Sequence, residues 1–578
     1  MAENNRQLAG IFEQMAQLTE VLGGNRFRIG AFEKAARVIA ELPRDVSDYE
    51  PRELTKIDGI GQGTADRIVE FLETGQVAEH QEMLAQVPAG LLEVLAIPGI
   101  GPKSVATLWQ QGGVTDIASL KAKLETGELE NLPRMGAKTL ANIKANLAFT
   151  QAAGARRRIG EALPLARWFV DKLRAHKAVR DAAYAGSLRR GRETIGDIDL
   201  LVAADPKDAR KISDAFVKLN GVAEVILKGA TKTSVRTESG IQIDLRIVEP
   251  AAYGAALLYF TGSKEHNIRL RERAINQGCK LSEYGLFEGE DDDARRLAGE
   301  TEQEVYEALG LAWIPPELRE DHGEIALAEK NTLPGLIELK HIQSELHAHT
   351  TASDGHWSIR ELAMAAAERG FHTVAVTDHS RSQVQAGGLT NKRLEAHIAA
   401  VREVASELDG TIRILAGSEV DILTDGKLDY PDSLLAELDL VVASPHAALS
   451  QEPAKATRRL LKAIENRHVH ILGHATGRLV GRREGLHPDI RQIADAAAAR
   501  GVALEINANH HRLDLRDSHA RIALEAGAKL AINTDAHGHA DLDQLIYGVL
   551  TARRAGATRQ DVVNTFNKAA LTKWLKRS

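Results

Sequence analysis

The chain has 578 residues, of which 44% are hydrophobic and 26% charged, and its formal net charge is −7. This length exceeds what one hydrophobic core supports, and the composition excludes a disordered chain, so several globular domains are expected. The negative balance argues against a nucleic-acid binder that is basic throughout, although arginines cluster at 156–158 and 189–192. One cysteine, Cys279, and no apolar leader or membrane-length run predict a cytoplasmic protein that does not associate with membranes.

Residues 6–150 carry apolar residues at spacings of three and four, which predicts short amphipathic helices joined by glycine turns. Two of these turns, Gly59-Ile60-Gly61 and Gly99-Ile100-Gly101, are alike and precede a new helix. One such turn is typical of an ordinary helix corner, but two in one region predict a grip on DNA phosphates through backbone N–H groups. Both resemble helix-hairpin-helix motifs. The predicted DNA contacts are Gly59, Gly61, Gly99, Gly101 and Lys103.

The next segment changes from helical to strand patterns. A short strand meets the turn Gly186-Ser187, and a second strand carries Asp197 and Asp199 two residues apart. Side chains at this spacing share one face of a strand, and Asp244 interrupts the apolar face of a further strand. Three carboxylates on adjacent strands suit two Mg²⁺ or Mn²⁺ ions, which predicts nucleotidyl transfer.

At this point the segments GSLRRGRETIGDIDLLV and YFTGSKEHNIRLR resemble family X DNA polymerases, the group that contains eukaryotic polymerase beta, over about residues 1–318. The resemblance implies that Asp197, Asp199 and Asp244 are the metal-binding catalytic residues. It also implies a nucleotide site in which Tyr259 and Phe260 lie against the sugar and disfavour a 2′-hydroxyl. The residues implied to bind the incoming nucleotide are Gly186, Ser187, Arg190, Arg158, Tyr259, Phe260, Gly262, Asn267 and Arg271.

One position departs from the family pattern. The first helical unit resembles the lyase domain of that family, in which a lysine just after the Gly-x-Gly turn forms a Schiff base with deoxyribose phosphate. Here the matching residue is Arg67, and a companion lysine is replaced by Gly63. A guanidinium cannot serve as an amine nucleophile at neutral pH. We therefore expect binding of a DNA 5′-phosphate with weak or absent lyase activity.

From Ile342 onward, short apolar strands alternate with helical patterns, which predicts a β/α architecture with parallel strands. Seven strands can be counted if the one ending near Glu505 and Asn507 is included. Side chains of the types that bind metals stand at the C-terminal strand ends, where a β/α barrel assembles its active site. These side chains are His347, His349, Asp354, His379, Glu419, His446, His474, Asp535 and His537.

Nine ligands of this kind imply at least two metal ions, and imidazoles with a few carboxylates favour Zn²⁺, Mn²⁺ or Fe²⁺. Two or three ions are expected, with phosphoester hydrolysis as the chemistry. The pattern resembles the polymerase and histidinol phosphatase (PHP) domain over about residues 341–570. That resemblance implies a Mn²⁺-dependent 3′-to-5′ exonuclease, sometimes with end-cleaning phosphoesterase activity or cutting at abasic sites. Arg478 and His511 are candidates to hold a phosphate, with a surface role as the alternative.

Together these patterns predict a multidomain protein with N-terminal all-α helix-hairpin-helix domains, an α+β nucleotidyltransferase palm with thumb, and a C-terminal (β/α)7-type PHP barrel. The predicted domains are 1–85 (lyase-like), 86–155 (fingers), 156–252 (palm), 253–318 (thumb), 319–340 (linker) and 341–578 (PHP). Such a protein is expected to be a monomeric repair polymerase that acts on gapped or primer-template DNA and dNTPs. The alternatives are a phosphatase of the histidinol-phosphate type and a non-catalytic DNA-binding scaffold.

Overall fold

The computed structural model describes residues 3–576 apart from positions 43–44, 58, 96, 98–99, 134, 137–138, 142, 145–146, 148–155 and 290–294. The chain divides into two compact units, residues 1–154 and residues 155–578. In the described part, no helix is both long and apolar enough to cross a membrane.

All regular secondary structure in the described residues of the first unit is helical. Its apolar helix faces meet in one core to which Phe12, Ile68 and Leu108 all belong, so residues on both sides of the boundary predicted at residue 85 share a core. The helices end where the backbone turns, as at Gly75, whose φ of 75° suits only glycine without strain. The described helices are Glu3–Val21, Arg26–Glu41, Pro51–Leu54, Gln62–Thr74, Ala78–Ala85, Leu91–Leu95, Pro102–Gln110 and Ile117–Thr126.

The second unit begins with the palm, which is built on a five-stranded sheet. Its buried face packs on helix Ile159–Arg174, whose side chains Phe169 and Leu173 lie in the palm core. Helices Gly186–Arg189 and Ala209–Phe216 complete the domain. Strands β1 (Arg157–Arg158) and β3 (Thr194–Ile195) pair with each other outside this sheet. The sheet itself consists of β2 (Val179–Tyr184), β4 (Asp197–Ala204), β5 (Val222–Lys228), β6 (Lys232–Thr237) and β7 (Gln242–Val248), in the order β2-β4-β7-β6-β5.

The thumb follows as helices Tyr253–Thr261, Lys264–Asn276 and Glu302–Ala308 with a small sheet of β8 (Cys279–Ser282), β9 (Gly285–Glu288) and β10 (Arg295–Ala298). The segment 319–340 was predicted as a linker, but its first residues are packed into the thumb. Arg319 is fully buried and donates to both carboxylate oxygens of Glu302 at 2.7 and 3.1 Å, and helix Glu324–Glu329 follows it. In a sequence, charged residues that are buried as ion pairs cannot be told from exposed ones. The charged segment was therefore predicted as a linker, although it is folded against the thumb.

Glu302 joins the thumb to the palm. It accepts hydrogen bonds from Arg319 and also from Arg189, whose two nitrogens lie 2.7 and 2.9 Å from the carboxylate oxygens. Burial alone would raise the pKa of Glu302, but the charges of Arg319 and Arg189 hold it well below its usual range. A permanently charged carboxylate therefore neutralises two guanidinium groups that are largely removed from solvent.

We expect Glu302→Gln to destabilise the second unit by about 3–5 kcal/mol, because it leaves two buried guanidinium groups without a counter-charge. The measurement is thermal unfolding of the full chain followed by calorimetry. Glu300→Gln, at an exposed position two residues earlier, is the matched control and should leave the transition in place. If Glu302→Gln and Glu300→Gln unfolded at the same temperature, Glu302 would not be an essential counter-charge for the two arginines.

The barrel consists of seven parallel strands, each paired with the next along the chain. A parallel bridge between Ala348 and Ala536 links the ends of the first and last strands, so the barrel is nearly closed and the predicted (β/α)7 fold is confirmed. The strands are β11 (Ser344–Glu345), β12 (Thr373–Val376), β13 (Arg413–Asp421), β14 (Leu440–Ser444), β15 (Ile471–Leu472), β16 (Ala503–Asn507) and β17 (Lys529–Asn533). The helices are Ile359–Glu368, Asn391–Glu407, Asp432–Leu435, Pro453–Ile464, Ile490–Arg500, Asp517–Glu525, Leu545–Ala555 and Lys568–Leu575.

The palm and the barrel pack directly on each other. Leu513 of the barrel is part of the palm core, and Tyr547 and Leu550 pack against it. Arg478 donates to both carboxylate oxygens of the palm residue Glu193, at 3.2 and 2.5 Å. Arg478 is therefore a junction residue in this structure, neither the phosphate contact nor the surface residue that the sequence suggested.

Candidate active sites

The three aspartates of the palm lie on two neighbouring parallel strands of its sheet. Asp197 and Asp199 are on β4, and Asp199 is directly opposite Asp244 on the parallel neighbour β7. Asp197 is exposed at the start of its strand, whereas Asp244 is 8% exposed. The structure thus brings together the three carboxylates that the sequence placed on two strands.

The electrostatics of this cluster are unfavourable without a cation. Burial, together with the charges of Asp197 and Asp244, raises the pKa of Asp199 to about 7. Lys232 pairs with Asp244, with its Nζ 2.9 Å from the carboxylate, and Gln242 donates to the other oxygen at 2.8 Å. The charges of Arg246 and Lys232 oppose the rise in the pKa of Asp199 but do not cancel it. Three carboxylate side chains with one nearby ammonium group fit a site for divalent cations that prefer oxygen ligands.

Lys232 and Gln242 were missed by the sequence analysis. Gln242 could have been found, because it stands two residues before Asp244 on the same strand and so shares its face. Lys232 is on β6, and only the pairing register of β6 with β7 brings it to the cluster.

The Gly186-Ser187 turn lies directly beside the aspartates. Gly186 has a φ of +63°, and a Cβ atom there would collide with the Oδ2 atom of Asp199. Ser187 follows in the first turn of helix Gly186–Arg189. Only glycine therefore allows the backbone of this turn to approach the carboxylate cluster.

Arg190 connects the turn to the thumb. Its Nη1 donates to the carbonyl of Thr261 at 2.6 Å, next to Gly262, and its Nε donates to Glu320 at 3.0 Å. Arg158 takes a different direction: it pairs with Glu161 and lies 2.6 Å from the Nδ1 of the barrel residue His511. The structure therefore brings Arg190 and Gly262 together and places Arg158 against the barrel.

The remaining predicted nucleotide contacts form one group on the thumb. Asn267 donates its Nδ2 to the carbonyl of Tyr259 at 2.7 Å, and Arg271 Nε lies 3.4 Å from the carbonyl of Asn267. The ring of Phe260 packs edge-on against Tyr259 and beneath the Arg246 guanidinium, 4.3 Å from the ring centre. Whether these side chains contact a nucleotide stays a prediction.

Within the first unit, the glycine turns stand where the sequence predicted, at the starts of helices. Gly61 precedes helix Gln62–Thr74, and Gly101 precedes helix Pro102–Gln110. Gly59 has a φ of +97°, and a Cβ there would lie 2.8 Å from the side chain of Val38. Lys103 is exposed, 3.5 Å from Glu20. Gly99 lies outside the described residues, and the DNA contacts themselves stay predictions.

The barrel cluster is organised around Glu419 at its centre. Five imidazoles surround this fully buried carboxylate, at 2.8 Å for His474, 2.9 Å for His379, 3.3 Å for His446, 3.4 Å for His347 and 3.6 Å for His349. These imidazoles, led by the charge of His446, outweigh burial and hold the pKa of Glu419 well below its usual range. Glu419 is therefore an anion that two cations could share.

Two further carboxylates complete the cluster. Asp354 lies 3.3 Å from His537 and 3.5 Å from His379, and Asp535 lies 2.9 Å from the Nε2 of His349. Three overlapping groups result, in each of which the ligand atoms lie within 4.8 Å of one another. The groups are His349, Asp354, His379 and His537; His347, His349, Glu419 and Asp535; and His379, Glu419 and His446.

Several of these buried atoms have no hydrogen-bond partner within the part of the chain that the structure describes. They include both carboxylate oxygens of Glu419 and the Nε2 atoms of His347, His446 and His474. A buried polar atom without a partner costs about 1–3 kcal/mol. A group of such atoms facing one another fits a set of metal ligands, with nitrogen and oxygen donors typical of Zn²⁺, Mn²⁺ or Fe²⁺.

Neighbouring side chains fix the orientation of the imidazoles. Glu505 Oε1 lies 2.8 Å from the Nδ1 of His347, and Asp421 Oδ1 lies 3.0 Å from the Nδ1 of His446. Each contact directs the opposite ring nitrogen toward Glu419. Asp421 was missed, although it follows Glu419 by two residues on β13, and Glu505 was noted only as the end of a strand.

The sheet and barrel, with their clusters, define the class: a nucleotidyltransferase palm joined to a metallophosphoesterase barrel. Four family models match: a helix-hairpin-helix domain (residues 3–77), a SAM-like helix-hairpin-helix tandem (91–148), the DNA polymerase beta thumb (256–320) and the PHP domain (345–509). The chain is also 37% identical, over the full length of both proteins, to the DNA polymerase/3'-5' exonuclease PolX of Bacillus subtilis. The chain belongs to the family X DNA polymerases with helix-hairpin-helix domains, a thumb and a C-terminal PHP domain.

Two other relatives carry names of the two enzyme classes. DNA polymerase lambda of Arabidopsis thaliana is 25% identical over 349 residues, which are 54% of this chain and 62% of that protein. A protein of Syntrophotalea carbinolica named "Probable phosphatase" is 31% identical over 239 residues, which are 38% of this chain and 90% of that protein. The family resemblance predicted from the sequence is thereby confirmed.

Proposed function

We propose that the protein is a DNA-dependent DNA polymerase that fills short gaps during DNA repair and trims 3′ ends with a 3′-to-5′ exonuclease in its barrel. This proposal rests on the presence of two separate clusters in one chain, the aspartates of the palm and the ligand-type residues of the barrel, eight of which form the three overlapping groups while His474 contacts Glu419. The Bacillus subtilis relative is named for both activities. Gapped or primer-template DNA and dNTPs are the substrates.

In the palm, Asp197, Asp199 and Asp244 would hold two Mg²⁺ or Mn²⁺ ions. When bound, such ions neutralise the triphosphate and ease loss of the proton from the primer 3′-hydroxyl. The backbone at Gly186 and the Arg190 guanidinium bind the triphosphate, for which Arg190 exchanges its contact with Glu320. Tyr259 would exclude ribonucleotides by closing the space beside the sugar.

In the barrel, the nine ligand-type residues would hold two or three Mn²⁺ or Zn²⁺ ions, with Fe²⁺ as a further candidate. Bound ions of this kind supply a nucleophile at neutral pH and neutralise the phosphodiester. The chain's own contribution is to keep His347 and His446 oriented through Glu505 and Asp421, so that the site needs little rearrangement. Removal of 3′-terminal blocking groups and cleavage at abasic sites use the same phosphoester chemistry.

The test is incubation of the full-length protein with a labelled primer-template and Mn²⁺. We expect the primer to lengthen when dNTPs are present and to shorten when they are omitted. Histidinol phosphate, offered to the same preparation, should not be hydrolysed, and its turnover would favour the small-molecule phosphatase. Failure of both DNA reactions in a preparation shown by elemental analysis to contain metal would favour the non-catalytic scaffold.

The lyase position yields a separate prediction. Arg67 donates to Glu79 and to the carbonyl of Gly63, and Arg28 pairs with the same Glu79. A guanidinium held in this way has no free amine to attack a deoxyribose phosphate. We expect borohydride treatment with 5′-deoxyribose-phosphate DNA to give no covalent adduct at residue 67. A trapped adduct mapped to this residue by mass spectrometry would disprove the prediction.

A further inference from the structure

A cleft of about 350 Å³ lies between the palm and the barrel, on the loop that follows the Gly186-Ser187 turn. The palm contributes residues 191–194 of this loop, and Glu320 lies beside them. The barrel contributes the start of helix Asp517–Glu525 and the end of helix Leu545–Ala555. Four arginines line it, and we call it the arginine cleft: Arg192, Arg516, Arg521 and Arg554.

The carboxylates that line the cleft are already neutralised. Glu193 is bound by Arg478, which stands outside the cleft, and Asp517 accepts from Arg554 at 2.8 Å. Glu320 accepts from Arg554 at 2.9 Å and also from Arg190 at 3.0 Å. Four arginines therefore line the cleft with three carboxylates, each of which is already bound by a guanidinium group, and the cleft carries an excess of positive charge.

Three of the four arginines have guanidinium N–H groups that make no hydrogen bond, or only a long contact, with the described residues. The Nε of Arg516 is buried and has no hydrogen-bond partner among the described residues. Arg521 donates to the main-chain carbonyl of Arg554 at 3.3 Å, and the nearest approach of Arg192 to Glu320 is 3.6 Å. A buried guanidinium N–H without an acceptor is costly, so an anion in the cleft would stabilise this arrangement.

We propose that the arginine cleft is a binding site for a phosphate-bearing anion. The planar guanidinium fork matches two oxygens of a phosphate, and arginine is more weakly hydrated than lysine, which suits a partly buried site. The volume is at the lower end of the range for ligand sites, which suits a phosphate or pyrophosphate group. The same chemistry is available from free pyrophosphate and from a backbone phosphate of bound DNA. The site goes beyond the proposed function and does not depend on it.

The test compares full-length wild type with Arg516→Ala and Arg192→Ala, using two probes. Inorganic pyrophosphate is titrated calorimetrically, and a single-stranded oligothymidylate is titrated by fluorescence anisotropy at several salt concentrations. The palm can also take up pyrophosphate, but none of the residues predicted to bind the nucleotide is changed in either variant, and Arg516 belongs to the barrel. A loss of affinity that both variants share therefore belongs to the cleft. Arg458→Ala, at an exposed position on helix Pro453–Ile464 that does not line the cleft, is the matched control.

We expect each cleft variant to weaken binding of one probe by about tenfold or more, the effect of losing a charge-assisted hydrogen bond, while Arg458→Ala has no effect. Weakened pyrophosphate binding alone identifies a free anion as the ligand. Weakened oligonucleotide binding, with a salt slope reduced by about 0.7, identifies a backbone phosphate. Unchanged affinity for both probes in either correctly folded variant, judged by circular dichroism, overturns the proposal. Arg192 is 47% exposed, so Arg192→Ala keeps the test available if Arg516→Ala does not fold.

Discussion

Asp197→Asn is expected to abolish primer extension and to leave 3′-end degradation intact. Asn keeps the shape of the side chain but removes one of the three negative charges that meet on β4 and β7. Loss of a charged ligand weakens binding of a divalent cation that stabilises the charge developing in the transition state. This stabilisation amounts to several kcal/mol, so the rate of primer extension should fall by about 10³-fold or more. The measurement is the initial rate of primer extension with Mn²⁺ and dNTPs, with degradation recorded in their absence.

The matched control for this substitution is Asp181→Asn. Asp181 is exposed on β2, at the edge of the same sheet, and pairs only loosely with Arg174 at 3.4 Å. We expect it to extend primers at the wild-type rate, because an exposed ion pair of this kind contributes little. If Asp197→Asn retained a tenth of the wild-type extension rate, the aspartates would not be the catalytic ligands.

His347→Ala is expected to have the opposite effect. His347 is fully buried, lies 3.4 Å from Glu419 and 3.6 Å from Asp535, and is oriented by Glu505. Alanine removes a ligand nitrogen and leaves the Glu505 carboxylate with Asn533 and the main-chain N–H of His474 as its remaining donors. Degradation of the primer should fall by about 10²-fold or more. Even the loss of a residue that only hydrogen-bonds to a metal ligand lowers metal affinity or activity by about 10–100-fold. Elemental analysis should show less than the wild-type content of barrel metal.

The control here is His487→Ala, which removes an imidazole that is 61% exposed and pairs with Glu484 at the barrel surface. It should degrade and extend primers as the wild type does. Simultaneous loss of extension and degradation in His347→Ala would refute two independent centres, even if the metal content fell. Retention of degradation at the wild-type rate would place the nuclease elsewhere.

The two clusters could be predicted from the sequence because the rules that gather them are local. Asp197 and Asp199 share a face by their spacing, and His347 and His349 stand at the end of a parallel strand, where a barrel opens its site. The residues that support the clusters could not be predicted in the same way. Lys232 reaches Asp244 only through the register of β6 with β7, and no pattern within one strand encodes that register.

Charged residues at domain junctions were the least predictable. Arg319 looked like part of a linker, and Arg478 looked like a phosphate contact or a surface residue, yet each is buried against a carboxylate from a distant segment. Burial of a charge depends on a partner that is far away in the chain, and hydrophobic periodicity carries no record of it. The nucleotide and DNA contacts remain predictions for the related reason that the bound partner itself completes them.

The packing of Leu513, Tyr547 and Leu550 on the palm core affects how a primer 3′ end can be transferred between the palm site and the barrel site. Palm and barrel belong to one compact unit, so we expect the distance between the two centres to stay the same while a primer end moves from one to the other. If the proposed function is correct, the primer 3′ end reaches the barrel site by separating from the template strand. Mismatched termini fray more readily than paired ones, so selective trimming would arise from the weakness of the terminal pair, without a pocket that recognises the error.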